Sequence, residues 1–398
     1  MNTLAKREDV HIVALGVEQP KEIIPSTVKT FRYGIQKVNT PNIHPWTLET
    51  ETKVIRGEAC ATAAYQLREQ GYTPDLICAH PGWGESLFLR DIWPTAPILL
   101  YQEFYYQTKG FDLDFDPEIQ GEVGWQAKAK AQMKNAALQL SLETSNWNIC
   151  PTTFQCSTFP KHWQQSISVI HDGIDTHRIK ANPSVKPLKL PDGAEIERGQ
   201  QIITFANRTL EPYRGCHSFI RAIPELQEQC PDAQIIVVGE TKGVSYGAAC
   251  EHYEWKDKFL SEIKGSYDPS KVHFTGPLPY DKFLQLLQLS QVHVYLTYPF
   301  VLSWSLLEAM SSECAIVGSA TAPVQELIQN EQNGLLVDFF DHHALAQSVT
   351  KLIKNRDLAK KLGKNSRATI LKNYDLKDCV NRHIALMKMV ACGAISRR

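Results

Sequence analysis

The sequence predicts an α/β protein with two Rossmann-like, doubly wound parallel-sheet domains in tandem, facing a cleft. Three observations predict this class. Short apolar runs alternate with longer amphipathic stretches along the 398 residues, which is the pattern of strands joined by helices. A segment rich in proline and glycine interrupts the alternation near the middle, and the alternation then restarts. At about 100–200 residues per domain, the length also fits two domains.

The composition argues against several classes of protein. The chain carries 42 Lys+Arg against 43 Asp+Glu, so it lacks the basic surplus of nucleic-acid-binding proteins, and no nucleic-acid partner is expected. No apolar run approaches the roughly 20 residues that span a bilayer, and the start does not resemble a signal peptide. The 10 cysteines show no zinc-site spacing. These features predict a reduced, cytoplasmic protein without a structural metal.

In the first half, five short apolar runs are predicted strands: His11–Leu15, Asp75–Ala79, Ile98–Tyr101, Asn148–Cys150 and Ile167–Ile170. Predicted helices cover Gly57–Gln70 and Gly121–Thr144, the second rich in good helix formers. Residues 179–200 contain three prolines and no periodicity, which predicts a linker. The predicted domains are 1–185 and 195–375, and a final helix, 376–398, is expected to pack back on the first domain.

The second half repeats the same alternation. Its predicted strands are Gln201–Ala206, Gln234–Val238, Val272–Phe274, Val292–Leu296 and Ala315–Gly318. Its predicted helices are Cys216–Gln229, Tyr280–Leu289, Ser303–Ser311, Pro323–Asn330 and Asp341–Lys354. Doubly wound sheets bind ligands at the carboxyl ends of their strands, so the loops after these strands are the candidate site.

Two arginines follow the first strand of the second half. Arg208 and Arg214 lie in the segment TFANRTLEPYRG. Guanidinium groups make bidentate contacts with phosphate oxygens, so a loop at the carboxyl end of a strand could use them to hold phosphate. By spacing alone, two solvated loop arginines are the simpler interpretation.

Two helix starts in the second half suggest an anion site. Ser303 or Ser305 can cap a helix that contains Glu308, and the turn SATAPVQE starts another helix with Pro323 near its first turn and Glu326 just inside it. The two N-termini would flank one diphosphate, and Glu308 would accept hydrogen bonds from ribose. By spacing alone, Glu308 is better explained as a surface carboxylate.

These segments resemble the glycosyltransferase family 4 group, whose enzymes have the GT-B fold. The matching pieces are R-x5-R-G (208–215), PDAQIIVVGE, VHFTGPLPYDKF, SLLEAM, TAPVQE and NGLLVD, in the family's order over about 200–375. Upstream, VIHDGID at 169–175 looks like the family's interdomain signature. HPGWGE (80–85) and EFYY (103–106) are similar to elements of one subgroup.

The resemblance implies retaining transfer of a sugar from a UDP- or GDP-sugar to an acceptor, without an obligatory metal or other cofactor. The acceptor is expected to be a glycan, a lipid-linked sugar or a small molecule. By the same resemblance, Arg208 and Arg214 hold the diphosphate and Glu308 binds the ribose. The remaining donor-binding residues that it implies are Gly276, Pro277 and Leu278 near the base, Ser303, Trp304, Ser305, Ala322, Pro323 and Val324 around the phosphate, and Glu326 near the donor.

Three departures from the family pattern stand out. Phe300 occupies the position, eight residues before Glu308, where the family usually has a sugar-contacting Glu, so donor identity and the usual catalytic assignment stay open. Arg214 replaces the usual Lys of the phosphate pair. The family's first strand–loop–helix unit would precede Leu4–Lys6, so the first sheet is expected to lack one strand, and we favour a coding start upstream. Without that unit, Val10–Leu15 must find another neighbour or form an exposed edge.

In addition to Arg208 and Arg214 of the second half, His80 and Glu103 of the first half are the predicted catalytic residues. Each follows a predicted strand, so both are expected at strand ends facing the cleft. A histidine there can donate to a sugar hydroxyl or relay a proton, and local loop hydrogen bonds are the competing explanation. Tyr105 and Tyr106 place aromatic faces beside Glu103, although tyrosine pairs are also common in cores.

The run GFDLDFDPE places aspartates at 112, 114 and 116, at alternate positions. Such carboxylates could hold a hard cation. The proline and the repeated aspartates more simply predict a solvated loop, so no metal site is expected.

Two function classes remain open. The main hypothesis is a glycosyltransferase of polysaccharide biosynthesis or a related pathway. The alternative, motivated by Phe300 and the missing first unit, is a catalytically weak glycosyltransferase-like subunit that binds nucleotide or glycan and supports a partner enzyme. A dinucleotide-dependent oxidoreductase is disfavoured because no G-x-G-x-x-G follows a strand. For the basic C-terminal end, packing on the first domain is favoured over peripheral membrane contact.

Overall fold

The computed structural model describes residues 3–17 and 24–397. The chain forms two compact units, each built around a parallel sheet. Unit 1 comprises the described residues up to Asp114, then Glu122–Asp172, then those from Asp378 onward. Unit 2 comprises Phe115–Gly121 and Gly173–Lys377. The predicted α/β class with two parallel-sheet halves is therefore confirmed, whereas the predicted domain ranges stay a prediction.

The described residues contain fourteen strands. They are β1 (Val13–Gly16), β2 (Lys29–Arg32), β3 (Ile77–Ala79), β4 (Ile98–Tyr101), β5 (Trp147–Cys150), β6 (Ile167–Val169), β7 (Leu188–Lys189), β8 (Glu195–Ile196), β9 (Ile202–Thr209), β10 (Gln234–Glu240), β11 (Val272–Gly276), β12 (Val292–Tyr295), β13 (Ala315–Ser319) and β14 (Leu335–Val337).

The same residues contain fifteen α-helices. They are α1 (Leu48–Glu69), α2 (Leu89–Ile92), α3 (Pro117–Gln120), α4 (Trp125–Lys134), α5 (Ala136–Thr144), α6 (Thr153–Ser157), α7 (Lys161–Gln164), α8 (Cys216–Gln229), α9 (Trp255–Glu262), α10 (Tyr280–Leu289), α11 (Trp304–Ser311), α12 (Ala322–Gln325), α13 (His342–Lys354), α14 (Arg356–Asn373) and α15 (Leu376–Ala391). In the described ranges, no helix is long and apolar enough to cross a membrane.

The sheet of unit 2 has the strand order β11-β10-β9-β12-β13-β14, and its strand pairs are parallel. Its strands are almost continuously buried, as expected for a sheet covered on both faces. The order reverses between β9 and β12, where Ile203 pairs with Val292. At such a switch point the connecting loops leave in opposite directions and open a crevice at the carboxyl ends of the strands. The residues that follow Thr209 and Tyr295 therefore lie at the natural ligand position.

One apolar cluster holds the two candidate helix starts of unit 2. Leu306, Leu307 and Met310 on α11 pack in this cluster with Ile316 on β13 and Val324 on α12. Each of these side chains is at most 1% exposed, and large apolar side chains of this kind contribute roughly 1.5–3 kcal/mol each when fully buried. The starts of α11 and α12 are thereby fixed relative to β13.

Unit 1 contains a four-stranded parallel sheet in the order β3-β4-β5-β6. On one side, α1 packs through Cys60, Ala64 and Leu67 with residues of β3 and β4. Another apolar cluster joins Leu386 and Val390 of α15 to residues of β4 and β5. The sheet is thus covered by helices from both ends of the sequence.

The first strand of the chain has a neighbour outside the main sheet of unit 1. β1 pairs in parallel with β2, Val13 lying opposite Lys29. Within residues 3–17 and 24–397, neither strand pairs with the four-stranded sheet. Of the two expected fates for Val10–Leu15, the structure shows a new neighbour. The strand count relative to the family stays a prediction.

The structure corrects several predicted elements. The helix predicted over Gly121–Thr144 breaks at Asn135, because the Asn135 side chain pairs with the backbone of Tyr106: its Oδ1 accepts from the amide at 2.9 Å and its Nδ2 donates to the carbonyl at 2.8 Å. The helix predicted over Pro323–Asn330 ends at Gln325. Beyond it, the Asn333 side chain accepts from the Gln329 amide and donates to the Leu327 carbonyl. The predicted linker includes a small antiparallel pair, β7 and β8.

The turn after β3 is packed too closely on α1 to accept any side chain at Gly84. The Gly84 φ is +103°, and a Cβ there would lie 2.1 Å from the Lys53 carbonyl oxygen. We expect Gly84→Ala to lower the free energy of unfolding by more than the roughly 1–3 kcal/mol that backbone strain alone costs. Chemical denaturation measures this difference. Gly71→Ala is the control, because Gly71 has a φ of +85° and a Cβ added there would meet nothing within 4 Å; equal losses in the two variants would contradict the prediction.

Candidate functional site

Two arginines stand at the carboxyl end of β9 in unit 2. Arg208 is exposed within the strand, whereas Arg214 is 6% exposed in the short turn before α8. The Arg214 Nη1 donates to the Thr297 hydroxyl at 2.8 Å and to the Val301 carbonyl at 2.9 Å. Both partners follow β12. The Arg214 side chain therefore bridges the two strands at which the sheet order reverses.

Aromatic rings complete the surroundings of Arg214. Its guanidinium lies 5.2 Å from the ring centroid of Tyr246 and 6.0 Å from that of Phe300. Phe300 is 5% exposed and packs edge to face on Tyr246, at 4.9 Å between centroids. At the position where the family usually has a carboxylate, this chain thus has the buried ring of Phe300. The ring attracts the Arg214 guanidinium by a cation–π interaction, which is weaker than a salt bridge to a carboxylate.

The positive charge of Arg214 has no salt bridge. Within the part of the chain that the structure describes, no carboxylate oxygen lies within 4.0 Å of Arg208 or Arg214. The nearby Glu211 is buried and accepts from the backbone amides of Ser245 at 2.5 Å and Tyr246 at 3.0 Å. Burial raises the pKa of Glu211, and these hydrogen bonds and the two arginines offset the rise only in part. A buried cation that is hydrogen-bonded to neutral groups is a strong site for an anion.

The start of α11 carries the next predicted residues. Ser303 caps the helix, its hydroxyl accepting from the Ser305 amide at 3.4 Å. Its own amide donates to the Tyr295 hydroxyl at 2.7 Å, which ties the helix start to β12. Trp304 is 53% exposed. Because the Leu306 amide donates to the Ser303 carbonyl at 3.3 Å, the Trp304 amide is the first-turn donor that these contacts leave to a ligand.

Glu308 is buried in α11, so its interpretation as a surface carboxylate is wrong. The side chain is 8% exposed, and the Tyr280 hydroxyl donates to its Oε1 at 2.5 Å. Burial raises the pKa of Glu308, while the Tyr280 hydrogen bond and the charge of Arg178 lower it in part. The other oxygen, Oε2, has no hydrogen-bond donor among residues 3–17 and 24–397. This carboxylate can accept one further hydrogen bond.

A hydroxyl network links α12 to the arginine turn. The Thr321 hydroxyl donates to the Thr297 carbonyl at 3.0 Å, and the Thr297 side chain accepts from Arg214. Ala322 is exposed at the first position of α12, whereas Pro323 and Val324 are buried and Glu326 is half-buried. Arg214, Thr297 and Thr321 therefore connect the ends of β9, β12 and β13.

The predicted loop at 276–278 follows β11. Gly276 ends the strand with a φ of +66°, Pro277 is exposed and Leu278 is half-buried. A left-handed residue here turns the chain away from the sheet, which a residue with a Cβ does poorly.

In unit 1 the structure brings His80 and Glu103 together. The His80 Nε2 lies 3.5 Å from the Glu103 carboxylate. The His80 Nδ1 accepts from the Gly82 amide at 3.1 Å, so a neutral ring carries its proton on Nε2, toward Glu103. The ring also stacks on Tyr101 at 6.0 Å. The Nδ1 of His80 thus has the local loop hydrogen bond that was the competing explanation, while its Nε2 faces the Glu103 carboxylate.

Sequence reasoning missed a buried polar cluster in unit 2. The expectation of a solvated loop is wrong for Asp112, which is 5% exposed, and for Asp116, which is fully buried. The Tyr298 hydroxyl donates to the Asp116 Oδ2 at 2.5 Å, and the His217 Nε2 lies 3.2 Å from the same oxygen. Asp-Pro at 116–117 marked the cap of α3, since the Asp116 Oδ1 accepts from two backbone amides. No motif near Asp116 in the sequence indicated its two distant partners, Tyr298 and His217.

The same segment is held to unit 2 by two further contacts. Arg221 makes a bidentate pair with Glu118, at 2.6 and 2.8 Å, and its Nε also bonds Glu262 at 2.8 Å. The Phe115 ring packs against Tyr298, Phe339 and Phe340, with centroids 5.0–5.2 Å apart. Phe115–Gly121 is therefore part of unit 2, although unit 1 both precedes and follows it in sequence.

Loss of the Asp116 carboxylate is expected to destabilise unit 2. Asp116→Ala leaves the Tyr298 hydroxyl and His217 buried without their acceptor, which costs about 2–4 kcal/mol. Burial raises the pKa of Asp116, but the hydrogen bonds from His217 and Tyr298 outweigh it, and the net pKa is lowered. The stabilisation is therefore present above pH of about 4 and lost as the pH falls through the lowered pKa.

Denaturant unfolding of the variant and wild type between pH 3 and pH 7 measures this. The exposed Asp114, replaced by Ala, is the control and should change stability by at most about 0.5 kcal/mol. A variant–wild-type difference that stays constant down to the acid limit would count against the pH assignment.

Two family models match the chain: the glycosyl transferase family 4 group over residues 8–179 and glycosyl transferases group 1 over residues 190–369. An uncharacterized glycosyltransferase of Methanocaldococcus jannaschii is 26% identical over 220 residues, which are 55% of this chain and 52% of that protein. A trehalose synthase of Pyrococcus furiosus is 22% identical over 200 residues, 50% of this chain and 47% of that protein. The chain spans about half the length of the curated relatives it matches.

Solved structures extend the likeness to nearly the whole chain. Sucrose-phosphate synthase from Thermosynechococcus elongatus has a TM-score of 0.73 at 16% identity, covering 96% of this chain and 90% of that one. HepE of Anabaena, in complex with UDP-glucose, has a TM-score of 0.61 at 16% identity, covering 90% of this chain and 85% of that one. At this identity the likeness shows the fold, and the predicted GT-B fold is confirmed. The chain belongs to the glycosyltransferases, its first half to the family 4 group and its second half to group 1.

Proposed function

We propose that the protein transfers a sugar from a nucleotide-diphosphate sugar to a hydroxyl group of an acceptor. Arg214 carries this proposal: its guanidinium is buried at the switch point of the unit 2 sheet and has no carboxylate in salt-bridge range among the described residues. A diphosphate supplies the missing negative charge in a geometry that suits a guanidinium. The exposed Arg208, on the strand that leads to the same turn, adds a second cation.

The same groups have a role in the reaction itself. When the bond between the sugar and the diphosphate breaks, negative charge accumulates on the leaving phosphate. Cations and backbone amides that are already in position stabilise that charge without reorganisation. Arg208, Arg214 and the amides around Ser303–Ser305 are the proposed stabilising groups, with those of Ala322–Val324 beside them. This supports departure of the leaving group without a metal, and the family resemblance supports retention of configuration at the sugar.

Glu308 is the proposed partner of the ribose. Its Oε1 is occupied by the Tyr280 hydroxyl, and its Oε2 is available to a ribose hydroxyl. The loop at 276–278 is the proposed border of the base, and Glu326 the proposed carboxylate near the sugar. HepE was solved with UDP-glucose, so a uridine diphosphate sugar is the first donor to test, and a guanosine diphosphate sugar the second.

The acceptor side is assigned to unit 1. His80 and Glu103 form a histidine–carboxylate pair at the ends of neighbouring strands, able to hold a sugar hydroxyl and accept its proton. The proposed domains are 1–185 for the acceptor and 195–375 for the donor.

Phe300 favours one alternative, a catalytically weak subunit that binds nucleotide and supports a partner enzyme, since a buried ring replaces the family's carboxylate. Nucleotide binding without turnover, restored by a co-expressed transferase, would favour that alternative.

Thermal unfolding with millimolar UDP, GDP or ADP tests the proposal, and Arg214→Met sharpens it. Replacing a buried, unpaired cation with an apolar side chain of similar length often leaves a protein equally or more stable. We therefore expect the ligand-free variant to keep its unfolding temperature and to lose the rise that the nucleotide produces. Arg356→Met is the control, since that guanidinium bonds the Gly199 carbonyl instead. Wild-type protein that no nucleoside diphosphate stabilises would refute the proposal.

Glu308→Gln is expected to weaken donor binding. A hydrogen bond to a charged group is worth about 1.5–3 kcal/mol, so the KM for the donor should rise roughly tenfold to a hundredfold with a smaller change in kcat. Because the pKa of Glu308 is raised, wild-type donor affinity should fall as the pH drops toward that pKa, and the variant should lose this dependence. Tyr280→Phe is the control, because it keeps the carboxylate. Equal donor KM values in wild type and Glu308→Gln would remove Glu308 from the site.

A further inference from the structure

Trp83 is a large apolar side chain left in solvent in the turn that His80 caps. It is 63% exposed, although indole rings normally bury most of their surface. It ends the short turn Pro81–Trp83, which His80 caps by accepting from the Gly82 amide. The turn follows β3, so Trp83 lies at the same end of the sheet as the two proposed catalytic residues. Ligands of doubly wound sheets bind at the carboxyl ends of the strands, which makes an exposed ring in this turn a candidate ligand contact.

The backbone beneath Trp83 is rigid. A Cβ on Gly57 of α1 would lie 2.7 Å from the Gly84 carbonyl oxygen, and a Cβ on Gly84 would lie 2.1 Å from the Lys53 carbonyl oxygen. Two glycines thus allow direct backbone contact between the turn and α1. Because the turn is locked against a 22-residue helix, the exposure of Trp83 is a built feature of the fold.

The indole is also held from one side. The Arg56 guanidinium lies 5.9 Å from the centre of the Trp83 ring. Arg56 is itself anchored to Glu85, at 2.5 Å from Nη2 and 3.0 Å from Nε. Within the HPGWGE segment, His80 therefore caps the turn of Trp83, and Glu85 orients the Arg56 side chain that lies against the indole. A ring held in this way loses little conformational entropy when a ligand stacks on it.

The polar groups nearby identify the chemistry of the ligand. A pyranose ring presents C–H groups on its faces and hydroxyls around its edge. Trp83 offers a flat apolar face, while the His80 Nε2–H and the Glu103 carboxylate offer a donor and an acceptor. We propose that Trp83 is the stacking platform for a pyranose ring of the acceptor, positioned so that a ring hydroxyl reaches the His80–Glu103 pair. This inference rests on the proposed function, because it names the acceptor class of that reaction.

The direct test monitors the Trp83 side chain by NMR. The protein contains eight tryptophans, so 5-fluorotryptophan labelling gives a small set of ¹⁹F signals, and Trp83→Phe assigns one of them. Methyl glycosides of glucose, galactose, mannose and N-acetylglucosamine are added at about 100 mM, with the acyclic polyol sorbitol as the control. We expect the Trp83 signal to shift with at least one glycoside and not with sorbitol. No shift with any glycoside overturns the inference, and so does a shift that depends only on protein concentration, which would indicate self-association.

A kinetic test separates this inference from the proposed function. In the 398-residue chain, Trp83→Ala should raise the KM for the acceptor about tenfold and leave the donor KM and the stabilisation by UDP unchanged. Trp125→Ala is the matched control, since Trp125 is 67% exposed in the same unit and should change neither KM. An unchanged acceptor KM in an active Trp83→Ala enzyme overturns the inference and leaves the proposed function standing. If no nucleotide binds but the Trp83 signal responds to a glycoside, the proposed function is refuted and glycoside binding at Trp83 stands.

Discussion

A buried hydrogen bond from the Arg214 guanidinium to the Thr297 hydroxyl connects the strand ends of unit 2. It is available because the strand order places β9 beside β12, so the turn after one strand meets the loop after the other. The Thr297 carbonyl then accepts from Thr321, which brings the start of α12 into the same network. Every predicted phosphate-facing segment of unit 2 therefore adjoins β12 or β13. The backbone also joins the turn after β9 to the loop after β12, since the Tyr298 amide donates to the Tyr213 carbonyl at 3.0 Å.

The cost of this arrangement is an uncompensated charge. The buried Arg214 guanidinium, bonded to a hydroxyl and a carbonyl, has lost water without gaining an ion pair from any residue that the structure describes. Tyr246 and Phe300 supply ring faces, a weaker compensation than a carboxylate would be. The charge of Arg214 is therefore held by neutral hydrogen-bond partners and ring faces, at some expense of stability.

Local patterns predicted the regular elements of the fold well. Ile98–Tyr101, Cys216–Gln229 and Tyr280–Leu289 begin and end where the sequence indicates, because apolar periodicity marks each element and a glycine or proline directly precedes it. The same reasoning located Arg214 and Glu308 but not their burial, which depends on Thr297, Val301 and Tyr280 through the tertiary fold. The prediction for Asp116 failed most clearly. Its partners lie far along the chain, and its own neighbourhood looks like a solvated acidic loop.

The two units offer surfaces that suit different chemical demands. A nucleoside diphosphate carries charge that water solvates well, so only cations already held in place, such as Arg214, recover the cost of desolvating it. A sugar acceptor is neutral, and its affinity must come from apolar ring faces and a few hydroxyl contacts. Unit 1 accordingly keeps His80, Glu103 and the Trp83 ring accessible and bases them on a rigid turn. A buried cation would add nothing there, because a neutral ligand cannot neutralise it. The anionic donor and the neutral acceptor that we propose thus call for the two kinds of surface that this chain places in separate units.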